Sequence, residues 1–182
     1  MAPSKKPTLD LNVIRDRVDA AAREIAKHKI NFTLNPDYMS NPCSAIQELS
    51  WSSVKYGLDN ADTVPNDRRG VYAFVVSRND DVLPPHGYVM YVGIGGKNSD
   101  RSLRERYGDY LNTKKILQRD RIARMIGTWF EVLYFVYAPV PDTISSEDLI
   151  ALEEHINSAL LPPFSWGDIH ATIKKKRRMF DG

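Results

Sequence analysis

The chain has 182 residues, 42% of them hydrophobic and 26% charged, a globular composition that excludes a disordered polymer and suits one domain with an extension. A formal charge of +2 does not by itself mark a polyanion binder, and the single cysteine, Cys43, excludes an internal disulfide and a cysteine-rich zinc site. No stretch approaches the roughly 20 apolar residues of a membrane span, and the start "MAPSKKPTLDLNVIRDR" has no apolar core of signal-peptide length, so a soluble cytoplasmic protein with no membrane partner is expected.

Residues 10–28, "DLNVIRDRVDAAAREIAKH", predict an amphipathic helix, with Leu11, Ile14, Val18, Ala21 and Ile25 at steps of three and four and Asp10 as cap. From Asn31 to Arg69 the composition loosens around Pro36, Pro42 and Pro65, and the segment reads as an irregular arm whose Trp51 and Tyr56 pack on something. Val71 to Val76 form a β-rich apolar run, a central strand. "NDDVLPPHG" carries turn chemistry, and "YVMYVGI" then returns as an antiparallel partner. A helix is expected over about 99–111, with Leu103, Tyr107, Tyr110 and Leu111 on one face, and a second, basic helix over Lys114–Ile126. "TWFEVLYFVYAP" reads as the third strand, and Ser145 or Ser146 caps a last helix, "SEDLIALEEHINSAL", which the prolines at 162–163 stop. The order β-β-α-α-β-α predicts an α/β (α+β) fold: a small three-stranded antiparallel or mixed sheet flanked by helices. It divides the chain into an arm (1–67), a core (68–168) and a basic tail (169–182).

The break in "YVGIGGKNSDRSLRERYGDYL" poses the first functional question. Gly93, Gly95 and Gly96 follow a strand and precede a helix, as in loops that cradle phosphates. A dinucleotide fingerprint needs a glycine where Asn98 stands, and a Walker loop needs Ser or Thr after Gly96-Lys97. The nucleotide-loop pattern is therefore a poor match. The four histidines (His28, His86, His155 and His170) show no metal-ligand spacing, and Cys43 has no nearby helper for nucleophilic work.

Two tripeptides and two helices carry a better match. Gly70-Val71-Tyr72 lies on the first strand and Tyr91-Val92-Gly93 on the second; "LRERYGDY" supplies Leu103, Arg106 and Tyr110; Glu153 is followed by Pro162 and Ser165. These four ordered elements over about residues 68–166 resemble the GIY-YIG nuclease superfamily, including its L-x-x-R-x-x-x-[HY] helix and its late glutamate with proline nine residues on. The resemblance implies a metal-dependent DNA endonuclease using Mg²⁺ (or Mn²⁺), with double-stranded DNA as partner and a homodimer on DNA as an expected assembly. Tyr72 and Tyr91 would handle water and phosphate, Tyr110 would join their pocket, Arg106 would neutralise transition-state charge, and Glu153 would hold the metal. A compact core with an N-terminal arm is similar to the stand-alone restriction enzymes of the family.

Side-chain chemistry supports these assignments and keeps alternatives open. Glu153 has Leu149, Ile150, Ile156 and Asn157 as helical neighbours, whereas Glu154 has a more polar set; an ionised carboxylate on a buried face needs a partner, either a metal or an arginine. Arg106 lies on the flank of a buried stripe, where a planar guanidinium suits phosphate; Arg104 points to solvent. Tyr72 and Tyr91 have a core-aromatic reading as well, and a phenol with a pKa near 10 would need a metal or arginine to lower it. The basic residues expected on DNA are Lys97, Arg104, Lys114, Lys115, Arg119, Arg121, Arg124, Lys174, Lys175 and Lys176, together with Ser165 in place of the usual asparagine. Ile94 stands where many members have lysine. Together with Ser165 it motivates a second reading, a binder that kept the scaffold and lost the reaction; a small-molecule or nucleotide binder using "GIGGK" is a third.

Overall fold

The β-branched and aromatic runs do form the sheet, and a strand from the arm joins them. In the computed structural model, residues 11–40, 49–78, 86–96, 101–165, 169, 171 and 173–175 are described. The chain divides into two compact units, Met1–Asn31 and Phe32–Gly182. The first contains α1 (Leu11–His28), whose stripe residues Ile14, Val18 and Ile25 are exposed.

The second unit is a mixed α/β body. Its elements run α2 (Pro36–Ser40), β1 (Ser52–Lys55), a 3-10 turn (Leu58–Thr63), β2 (Gly70–Arg78), β3 (His86–Gly95), α3 (Leu103–Asp109), α4 (Thr113–Leu117), α5 (Asp120–Trp129), a 3-10 turn (Phe130–Val132), β4 (Leu133–Pro139) and α6 (Ser146–Leu160). The sheet is wholly antiparallel, in the order β1-β4-β2-β3. Four strands replace the expected three. The addition, β1, lies in the stretch read as irregular: only Val54 of its four side chains is buried, so no apolar run announces it. Two further boundaries differ. The basic helix expected over Lys114–Ile126 is two helices, broken where Arg119 leaves helical geometry, and the residues 128–132 expected in the third strand belong to α5 and a 3-10 turn.

Each face of the sheet has its own chemistry, because alternate residues of a strand point to opposite sides. Val71, Ala73, Val92 and Ile94 bury one face under Leu149, Leu152 and Ile156 of α6. Burying a Leu or Ile side chain of this kind stabilises by about 1.5–3 kcal/mol. Ser145 caps α6 through its hydroxyl on the Asp148 N–H, and Leu161, in the left-handed region at φ 44°, ends it just before the prolines. The other face carries Tyr72, Phe74 and Phe135, covered by Leu103, Tyr107 and Tyr110. Between Phe74 and Val75 the β2–β3 register slips by one residue, with Met90 the extra residue on β3. This bulge lets Val89 pack with the aliphatic face while Tyr91, two residues on, lies opposite Phe74.

Candidate active site

The tyrosine-bearing face begins with a clearance at the strand pair. Tyr72 and Gly93 are directly opposite in the ladder, and a Cβ at position 93 would lie inside the Tyr72 hydroxyl. The glycine of "YVG" is thus the floor on which the tyrosine of "GVY" rests. Gly70 does the same for the neighbouring strand, since a Cβ there would enter the Ala138 carbonyl.

α3 delivers the next groups. A reciprocal capping box starts it: the Ser102 N–H donates to the Glu105 carboxylate (2.8 Å), and the Glu105 N–H donates to the Ser102 hydroxyl (3.2 Å). The Leu103 and Arg104 N–H groups donate to the Arg68 and Pro65 carbonyls, which fixes the helix against the segment entering β2. With that entry set, the buried hydroxyls of Tyr72 and Tyr110 meet at 2.7 Å and Arg106 Nε donates to the Tyr72 oxygen at 3.2 Å. Tyr91 is partly buried, its ring centroid 6.3 Å from Tyr72 and 6.1 Å from Tyr110.

Electrostatics constrains what these phenols can do. Burial, then the neighbouring tyrosines, push the Tyr72 phenol well above its usual pKa; Arg106 pulls the other way and loses. Tyr91 is raised as well, by burial and then Tyr110, and the nearby Glu153 carboxylate adds to the effect. The expectation that Arg106 lowers the tyrosine pKa therefore describes only the smaller contribution, and both hydroxyls are held as proton carriers at neutral pH. Burial also works against the charge on Arg106, but the hydroxyls of Tyr72 and Tyr110 outweigh it and keep the guanidinium protonated.

A second group, absent from the sequence reading, sits behind the first. The buried Asp109 carboxylate accepts from Lys115 Nζ (2.6 Å), Arg101 (3.0 Å) and Arg106 Nη1 (3.3 Å). Burial alone would raise its pKa, yet the bonds from Arg101 and Lys115 hold it down at about 2. Arg119 donates to the Asp109 carbonyl (3.3 Å) and stacks over the Tyr110 ring at 4.6 Å. The signal for Asp109 was its place three residues after Arg106 on one helix.

The remaining expected residues are scattered. Arg104 does not face open solvent: it donates to the Val64 carbonyl (2.7 Å) and the Asp62 carboxylate (3.2 Å), which makes it an anchor for the 3-10 turn. Ser165 is buried, and its hydroxyl accepts from the Val92 N–H (2.9 Å) and donates to the Val92 carbonyl (3.3 Å); it holds a strand edge rather than reaching a phosphate. Lys114, Arg121 and Arg124 are exposed on α4 and α5, and Lys175 is exposed beside the half-buried Lys174. Lys97 and Lys176 lie outside the described residues. Ile94 belongs to the aliphatic core, on the face away from the tyrosines, so a lysine there would not join them.

Glu153 is 4% exposed on α6, while Glu154 is half-buried. One turn further, Asn157 is wholly buried, and neither its amide oxygen nor its nitrogen has a hydrogen-bond partner. No cluster of three His, Cys, Asp or Glu side chains suited to a metal occurs among the described residues. A magnesium ion does not require one, since it takes one or two carboxylates and keeps several waters, and a buried glutamate with an unsatisfied amide nearby fits that chemistry. The apolar cavity of about 350 Å³ lies elsewhere, between Val75, Val89, Val136 and Ile156 with Trp51 and His155; it has none of the converging polar groups found beside Tyr72. Comparison with models of protein families, with curated proteins and with solved structures finds no match.

Proposed function

We propose that the chain is a metal-dependent DNA endonuclease of the GIY-YIG kind that hydrolyses phosphodiester bonds in double-stranded DNA, with stand-alone restriction cleavage as the form that suits it. The observation that carries this reading is the contact of Tyr72, Tyr110 and Arg106 above a strand glycine, with Tyr91 beside them and Glu153 within electrostatic range of Tyr91.

Glu153 and Asn157 would hold a Mg²⁺ or Mn²⁺ ion, which supplies charge neutralisation at the phosphate when bound. The chain's own residues do the rest. Arg106 offers a permanent positive charge and further N–H donors to the phosphoryl oxygens, whose charge grows as the bond breaks. Tyr72, protonated by virtue of its burial, shares a hydrogen bond with Tyr110 and holds Arg106 Nε on its oxygen, which orients the pocket toward the phosphate. Tyr91, on the accessible side, positions the phosphate or the water. The exposed cations Lys114, Arg121 and Arg124 grip backbone phosphates without reading sequence.

The test is cleavage of mixed-sequence duplex DNA with Mg²⁺ or Mn²⁺, comparing the wild type with Glu153→Ala. The expected result is discrete cutting by the wild type and at least about a 10³-fold loss in the variant, with duplex binding retained. Binding by both proteins with cutting by neither would leave the scaffold as a DNA-binding module and remove the metal site.

A further inference from the structure

The carboxylate of Asp109 has no place in the proposed reaction, yet it is buried and bonded on both oxygens. Three cations from three positions converge on it: Arg101 ahead of α3, Arg106 within it and Lys115 on α4. Its side chain is only 8% exposed, so these bonds form where water competes weakly. Its backbone carbonyl takes a fourth cation, Arg119, which in turn stacks on Tyr110.

The consequence for Arg106 is geometric. Two edges of its guanidinium are committed, Nε to Tyr72 and Nη1 to Asp109, and these bonds set the plane of the group. Nη2 has no partner among the described residues, so the free edge is presented in one orientation. An arginine held only by Tyr72 would swing about a single bond. Three cations against one carboxylate also leave the cluster with a net charge of +2, which suits an anion.

We propose that Asp109 is the positioning residue of this site: it acts through Arg106, locking the guanidinium so that its free edge meets the phosphate at the moment of cleavage. The proposal rests on the nuclease reading and adds to it a residue that touches no substrate. Holding a catalytic group in place is worth a large factor in rate because a small misplacement is costly.

The experiment uses the full chain in three forms, wild type, Asp109→Asn and Asp109→Glu. Single-turnover cleavage of a duplex is measured with Mg²⁺, and affinity for the same duplex without divalent metal. Asp109→Asn is expected to slow cleavage by about 100-fold while the dissociation constant stays within about threefold, and Asp109→Glu to recover at least about tenfold of the rate. Equal cutting by wild type and Asp109→Asn overturns the proposal and leaves the nuclease reading standing. A matching loss of affinity and rate also overturns it, since Asp109 would then only shape the charged surface. A wild type that cuts no duplex brings down the nuclease reading and this role with it. Should Asp109→Asn fail to fold, the Arg106 Nη–H resonances of the wild type decide, since Nη1 is the atom that Asp109 holds: distinct, slowly exchanging Nη signals support a locked guanidinium, and averaged, freely exchanging ones overturn it.

Discussion

The two faces of one sheet solve burial in opposite ways. Under α6, Val71, Ala73, Val92, Leu149, Leu152 and Ile156 need no partner but each other. On the far face, Tyr72 and Tyr110 are equally buried, yet each brings a hydroxyl that must be satisfied, and Arg106 is drawn in to serve them. The difference teaches where the chain spends its stability. An aliphatic face is tolerant, because its worth scales with area. A polar face is demanding, because losing one member leaves others unpaired.

Three experiments sharpen or break that contrast. Leu149→Ala should produce the largest effect, a loss of about 2–5 kcal/mol in unfolding free energy by denaturant titration, while DNA affinity per folded molecule is unchanged. An equal effect on affinity would mean that the two faces are not independent. Gly93→Ala should cost about 1–3 kcal/mol, since the new methyl must displace the Tyr72 ring, and it should disturb DNA cleavage as well. Acid acts on the polar side through Asp109. Asp109 has its folded pKa depressed to about 2, so its contribution is complete above the ordinary carboxylate pKa near 4 and is lost as pH falls from there toward 2. The expected size is about 1–2 kcal/mol, and Asp109→Asn should remove that portion of the acid dependence.

Legibility in the sequence followed the same divide. The apolar runs of β2 and β3 and the capped, proline-stopped α6 were readable because hydrophobic period and cap chemistry are local. β1 was not, since a strand with one buried side chain is formed by its pairing with β4 rather than by its own pattern. The Met90 bulge was hidden too: strict alternation puts Val89 and Tyr91 on one face, and only the register slip separates them. For the candidate site, helical spacing correctly distinguished the buried Glu153 from Glu154. It could not foresee that Arg104 would turn back to the Val64 carbonyl, because that bond spans 40 residues of chain. Asp109 was overlooked for the opposite reason. A carboxylate near basic residues on a helix reads as surface charge until burial makes it a hub.

The hold of residues 164–165 on β3 reaches beyond the fold. β3 is an edge strand, with one side of its backbone unpaired in the sheet. The Phe164 N–H occupies the Met90 carbonyl, and the Ser165 hydroxyl occupies both polar groups of Val92. Strand addition at Met90–Val92 is therefore obstructed, which guards that part of the edge against edge-to-edge pairing. It also means that two copies of the chain cannot pair by running one sheet into the other through Met90–Val92.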